Sequence, residues 1–285
     1  MDWDRDGGDW PNREASQFIA ARPHRWHVQV MGEGPDLLLL HGTGATTHSW
    51  RDVLPLLAKH YRVIAPDLPG HGFTKLGRHN RSSMEAMAED CWTLCDELDV
   101  APHAIIGHSA GGAVALRMAQ IRQGPATVIG INAALGDFDG PAGFLFPMMA
   151  KALSMTPFVS LAFSQLTTRT GGVARLLDGT GSTIDARGRK LYARTVASAA
   201  HVEGALLMMA QWSTRAAREG LPGLKIPVTF LAAENDRTVP AKVSRHAATQ
   251  APNGCYISMG RLGHLAHEED PNLAVRLILD AIPQT

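Results

Sequence analysis

The stretch HAIIGHSAGGAVAL, His103 to Leu116, decides how the rest of the chain is read. His103 to Ile106 has the continuous apolar character of a buried strand's end, and Ala110 to Gln120 is an alanine-rich helical pattern. Ser109 stands at the corner, with Gly107 two residues before it, Gly111 two after and Gly112 next. A strand that turns at once into a helix forces its corner residue into strained backbone geometry. Only residues without side chains on either side let the two elements pass so closely. Such a turn lifts a serine hydroxyl to the top of a sheet and puts a backbone N–H beside it.

Outward from this corner the chain alternates short apolar runs with helical patterns. RWHVQVMGEGPDLLLLHG reads as two strands joined by a Gly-Glu-Gly-Pro turn. The helical pattern WRDVLPLLAKH, the strand YRVIAPDL, the loop PGHGFT and a helix from about Ser83 to Leu98 follow. After the Ser109 turn come the strands ATVIGINAAL and IPVTFLAAEND, a helix from Pro240, the strand CYISMG and a closing helix from about His267. The pattern predicts an α/β fold: a mostly parallel sheet of about eight strands covered by helices on both faces. From Gly136 to about Arg215 the chain is helical and strand-poor, the signature of a cap inserted over the carboxyl ends of the strands. The expected division is a polar N-terminal segment 1–24, a first core part 25–135, the helical cap 136–215 and a second core part 216–285.

A serine hydroxyl needs a general base, and the base works best when a carboxylate orients it. LAAENDRTVP places Asp236 just past a strand, and GRLGHLAHEEDP places His264 in a loop before the last helix. The order Ser109, Asp236, His264 is the one expected when a G-x-S-x-G turn sits in this kind of sheet. For the oxyanion, one donor is the N–H of Ala110, next to the nucleophile. The second is assigned to Thr43 in HGTG, His41 to Gly44, after the run Leu37 to Leu40. Asp137 and Asp139 are rival acids, read as turn residues at the start of the cap. His267 is the rival base, read as capping the last helix or facing solvent. His41, His108, Asp67 and His71 are read as groups that brace loops.

Lys plus Arg and Asp plus Glu stand at 27 each, so no electrostatic footprint for nucleic acid is present. Three cysteines make no disulfide framework, and Cys91 and Cys95 read as small buried hydrophobes. No metal-ligand spacing and no cofactor motif appear; His201 alone in the cap has no recognisable partner for a haem. The acidic opening MDWDRDGGDWPNREAS is the opposite of a signal peptide, and a cytoplasmic protein is expected. FLFPMMAKALSMTPFVSLAF, from Phe144, is interrupted by Pro147, Lys151 and Pro157, which argues against an integral membrane helix. Trp3 and Trp10 suggest that the polar head packs on the body or docks a partner. Phe144, Phe146, Met148 and Met149 are the expected lining of an apolar substrate pocket, alongside a bland reading as cap core.

From about Trp26 onward the chain resembles the α/β-hydrolase superfamily, on LLLLHGTGATTHSWRDVLPLL, VIAPDLPGHGFT, IIGHSAGGAVAL, ENDRTVP and GHLAHEEDP. That likeness implies the triad Ser109, Asp236 and His264 and an oxyanion site at Thr43 and Ala110. The head DWPNREASQFIAARPHRWHVQVMG, joined to HGTGATTHSWRDVLPLLA and to INAALGDFDGPAG, is similar to the magnesium-chelatase accessory proteins of bacteriochlorophyll biosynthesis. This narrower resemblance implies a pathway rather than a reaction. Its implied partners are magnesium chelatase subunits and a porphyrin or porphyrin ester. No G-x-x-x-x-G-K-[ST] phosphate loop is present, so the ATP-driven chelatase motor is excluded, and 285 residues is too short for the large porphyrin-handling subunit. Two readings follow: an esterase-like serine hydrolase, or a non-catalytic porphyrin-binding or chelatase-docking protein with a vestigial triad. A third keeps the triad for other chemistry, such as C–C bond cleavage or a perhydrolase side reaction.

Overall fold

The computed structural model describes residues 1–136 and 171–283. Eight strands form one sheet: β1 (Ser16–Ile19), β2 (Trp26–Met31), β3 (Asp36–Leu40), β4 (Arg62–Pro66), β5 (Ala104–His108), β6 (Thr127–Ile131), β7 (Val228–Ala232) and β8 (Gly254–Ser258). Their order is β1-β2-β4-β3-β5-β6-β7-β8, with β2 antiparallel to both neighbours and the remaining pairs parallel. The sequence reading finds seven of these runs; the eighth, β1, comes from the segment set apart as a polar head. Its half-buried pattern shows no clean alternation, so it carries no strand signal.

The run DLLLL shows why the middle strands are apolar throughout. Leu38 and Leu40 point to the face covered by the helices Met84–Glu97 and Ala110–Ile121, whereas Leu37 and Leu39 meet Leu54, Leu57 and Ile278 on the other. A strand covered on both sides needs apolar residues at every position. Burying four leucine side chains contributes on the order of 2 kcal/mol each.

The N-terminal segment packs on the body, as its two tryptophans suggested. Trp10 is buried, and its indole N–H donates to Thr47 Oγ1 at 3.1 Å. Trp3 and Trp10 each set a ring edge-on to Phe73, with centroids 4.9 Å apart. Cys91 and Cys95 are buried and unbridged, and Cys255 is exposed. No helix among the described residues is long and apolar enough to cross a membrane. The apolar segment from Phe144 lies outside those residues.

Between β6 and β7, in and just after the stretch expected as a cap, the described helices are Gly172–Gly179, Ala186–Val196, Ala199–Ala210 and Arg215–Glu219. The first three border the cavity at the carboxyl edge of the sheet, where β3, β5, β7 and β8 release the loops that carry Thr43, Ser109, Asp236 and His264. Arg215–Glu219 instead packs on the far end of the helix Ala110–Ile121 through Ala217 O, which accepts from Gln120 Nε2.

Candidate active site

Ser109 joins β5 directly to the helix Ala110–Ile121 and has φ +52° and ψ −118°, a left-handed backbone for a residue with a side chain. The glycines around it are sterically required. A Cβ on Gly107 would stand 2.2 Å from the Gly111 carbonyl oxygen, and one on Gly111 would stand 2.2 Å from the Leu40 carbonyl oxygen. The turn is held by Ser109 N–H donating to Ile131 O at 2.9 Å, and by Gly112 and Ala134 N–H donating to Ser109 O.

Three side chains drawn from three loops meet at this turn. His264 Nε2 lies 3.0 Å from Ser109 Oγ, and His264 Nδ1 lies 2.7 Å from Asp236 Oδ2. The other carboxylate oxygen of Asp236 accepts from Thr238 N–H at 2.7 Å and Val239 N–H at 2.8 Å. A carboxylate can only accept, so the imidazole carries its proton on Nδ1 and turns a free lone pair on Nε2 toward the serine hydroxyl. All three side chains are buried. Thr43 and Ala110 border the same space, and among the described residues neither backbone N–H has a hydrogen-bond acceptor. Two unpaired N–H groups beside a buried serine are donors of the kind that a developing negative charge needs.

Asn132 is a residue the sequence reading passed over. It ends β6 with φ +46°, fully buried, and ties both loops that face Ser109. Its Oδ1 accepts from Ala233 N–H at 2.8 Å at the end of β7, and its Nδ2 donates to Gly263 O at 3.1 Å and His264 O at 2.9 Å. His108 adds a second donor to His264 O through Nε2, at 2.8 Å. The cap braces the same loops, since Thr180 O accepts from the N–H groups of Arg237 and His264, both at 3.2 Å. A polar residue in the otherwise apolar run VIGINAAL was the available signal for Asn132.

Residues 35–271 match the family model for the alpha/beta hydrolase fold. The chain belongs to this family. The magnesium-chelatase 30 kDa subunit of Rhodobacter capsulatus is 44% identical over 276 residues, which cover 95% of this chain and 96% of that one. Among solved structures, an α/β-hydrolase fold protein from Burkholderia ambifaria superposes with a TM-score of 0.78 at 24% identity, covering 93% of this chain and 97% of that one. An epoxide hydrolase superposes with a TM-score of 0.76 at 21% identity, covering 93% and 97%. At such identities the structural likeness shows the fold alone, whereas the Rhodobacter relative carries the narrower resemblance read from the sequence.

In this α/β-hydrolase a cavity of about 540 Å³ opens in front of Ser109 and His264. Leu177, Val196, Met209, Trp212, Val239 and Leu265 give it an apolar wall. Among the described residues that line it, none is Asp, Glu, Lys or Arg. Phe144, Phe146, Met148 and Met149, named from the sequence as the pocket lining, lie outside the described residues, as do Asp137 and Asp139. Among the described residues, Met209 and Trp212 line the cavity.

His267 departs from its expected place. It does not cap a helix or face water: the ring is fully buried, 4.6 Å from that of Trp50 and 4.4 Å from that of His108. Burial pushes its pKa down to about 3 and takes His108 well below the ordinary range, so both rings are neutral. His41 braces loops as read, accepting from Leu68 N–H at 2.8 Å and donating to Gly42 O at 2.8 Å. Burial alone would raise the carboxyl of Asp67, but His27, His41 and the Phe73 N–H outweigh it and hold it below its usual range. Among the described residues, no three His, Cys, Asp or Glu side chains converge so as to hold a metal ion.

Behind the His264 loop, Glu268 is buried against Arg51 and accepts from Tyr192 Oη at 2.7 Å. Arg51 also reaches Asp185 at 3.2 Å, the residue that caps the helix Ala186–Val196. Burial raises the Glu268 carboxyl to about 7, against the pull of Arg51.

Proposed function

We propose that this α/β-hydrolase is a serine ester hydrolase acting on an uncharged, apolar substrate. The observation that carries this reading is the relay Ser109–His264–Asp236, with contacts of 3.0 and 2.7 Å. Ser109 Oγ attacks the ester carbonyl carbon while His264 Nε2 takes its proton. Asp236, fixed by two backbone N–H groups, stabilises the imidazolium that forms. The carbonyl oxygen becomes an oxyanion between the N–H groups of Thr43 and Ala110. Collapse of the tetrahedral adduct expels the alcohol, which receives the proton from His264. A water then gives a proton to His264 and attacks the acyl-enzyme, and the acid leaves with Ser109 restored.

The absence of Asp, Glu, Lys and Arg among the described lining residues supports the substrate class. Burying even a neutral polar group without a partner costs about 2–7 kcal/mol, and a carboxylate without a cation costs more. The similarity to a magnesium-chelatase subunit supports a porphyrin as the apolar substrate, and the ester chemistry together with the described lining favours its ester over its free acid. The test is incubation of wild type and Ser109→Ala with p-nitrophenyl butyrate and with a porphyrin methyl ester, following the acid released. Turnover by wild type alone supports the reading. Equal release by both proteins contradicts it.

A second reading, association with magnesium chelatase independent of the triad, is favoured by the same relative. Adding wild type or Ser109→Ala to reconstituted magnesium chelatase separates the two. Equal stimulation of metal insertion by both favours docking, and stimulation by wild type alone favours a catalytic contribution.

A further inference from the structure

His201 is the cap histidine for which the sequence offered no partner. In the fold it is buried on the helix Ala199–Ala210, and each of its ring nitrogens has one. Nδ1 accepts from the Gly72 N–H at 3.0 Å, and Nε2 donates to the Gly44 carbonyl at 3.1 Å. Burial takes the ring to a pKa of about 4, so it is neutral at neutral pH, as one donor and one acceptor require.

The same helix touches the loop beyond β3 at a second point. Met208 is fully buried, and its sulfur accepts from Thr43 Oγ1 at 3.3 Å. Between them Gly204 lies against Gly70, where a Cβ would stand 2.1 Å from the Gly70 carbonyl oxygen. Positions 201, 204 and 208 share one helical face. That face therefore holds the side chain of Thr43, the residue whose N–H is the donor, and the carbonyl of Gly44, two peptide groups further along the chain. The Thr43 N–H itself is left without an acceptor among the described residues and borders the cavity at Ser109.

We infer that His201 is a positioning residue: through Gly44, with Met208 on Thr43, the cap helix sets the oxyanion-site backbone, so that docking of this helix and assembly of the oxyanion site are one event. The inference rests on the serine-hydrolase reading above. A residue that only packs would contribute to stability, and its loss would leave the chemical step untouched. A residue that aims a transition-state donor acts on kcat and leaves ground-state binding alone.

The experiment compares wild type, His201→Ala, His201→Gln and Leu191→Ala. Leu191 is a buried residue of the helix Ala186–Val196 that packs with Trp10 and Phe73, is not among the described residues lining the cavity at Ser109, and serves as the structural control. Kinetics on p-nitrophenyl acetate, the rate of phosphonylation by a small fluorophosphonate and the thermal midpoint are measured for each. His201→Ala is expected to lower kcat on the order of 100-fold with KM within about threefold, the scale of losing one oxyanion donor. His201→Gln, which can donate and accept, is expected to recover roughly tenfold of that loss. Leu191→Ala is expected to lower the thermal midpoint while keeping kcat within about threefold of wild type. An active wild type with His201→Ala unaffected, or with Leu191→Ala losing kcat as His201→Ala does, overturns the inference alone. A wild type inert to both reagents overturns the hydrolase reading and this inference with it.

Discussion

Replacing Asp236 by asparagine tests the relay through a tautomer rather than through a hole in the structure. Asp236 Oδ1 accepts two backbone N–H groups, from Thr238 at 2.7 Å and Val239 at 2.8 Å. The amide introduced by the substitution must keep its oxygen there. Flipping it would set an NH2 group against both donors and leave the buried Val239 N–H unsatisfied, at about 1–3 kcal/mol, along with the part-buried Thr238 N–H. The amide nitrogen therefore faces His264 Nδ1, now 2.7 Å from a donor where it had an acceptor. The imidazole responds by moving its proton to Nε2. In that tautomer Nε2 no longer accepts from Ser109 Oγ, and the hydroxyl cannot be activated. We expect Asp236→Asn to lower kcat on the order of 10⁴-fold, about 5.5 kcal/mol of barrier. The substitution is nearly isosteric and keeps both turn hydrogen bonds, so the thermal midpoint is expected to stay within a few degrees, a ΔΔG below about 1 kcal/mol. The assay is p-nitrophenyl butyrate turnover, with the thermal midpoint measured on the same preparations. A variant that keeps a tenth or more of the wild-type rate would refute the reasoning.

Three further outcomes follow from the same geometry. Gly107→Ala puts a methyl group 2.2 Å from a backbone oxygen of the following helix, so strand and helix must separate; we expect a loss of more than about 3 kcal/mol in urea unfolding or no soluble protein. Asn132→Ala strips partners from Ala233 N–H and Gly263 O while His108 still holds His264 O; an unfolding free energy lower by about 2–6 kcal/mol and slower phosphonylation of Ser109 are expected, and an unchanged rate would show that the two loops hold without it. For Glu268, the folded pKa of about 7 lies above the ordinary 4.5, so its contribution to stability is fully present below about 4.5 and is lost as pH rises through 7. The difference in unfolding free energy between wild type and Glu268→Gln is therefore expected to decline across that window, and a flat difference would contradict the shifted carboxyl.

The nucleophile turn was legible because its steric demands leave glycines at fixed places. Gly107 is required by the Gly111 carbonyl four residues on, and Gly111 by the Leu40 carbonyl of β3, and both requirements are visible in the sequence. Asp236 and His264 were legible through their order and their places past strand ends, and His264 does lie within hydrogen-bond distance of both Asp236 and Ser109. The bracing contacts were not. Asn132 lies 132 residues from His264, and His201 lies 157 from Gly44. No spacing rule joins residues that meet only when sheet and cap come together. His267 misled for a related reason: the helix Ala266–Glu269 is a single turn, too short for periodicity to show which side faces inward, and Trp50 and His108 close over it. The edge strand β1 escaped because half-buried edges lack the alternation that marks strands elsewhere.

The central claim is an activated nucleophile at Ser109, and intact-mass analysis after treatment with a small fluorophosphonate tests it most directly. The hydroxyl fronts a cavity of about 540 Å³, which gives room for such a reagent. Wild type is expected to gain the mass of one adduct, and Ser109→Ala, treated in parallel, to gain none. A folded wild type that gains no mass, or a Ser109→Ala protein labelled to the same extent, would contradict it.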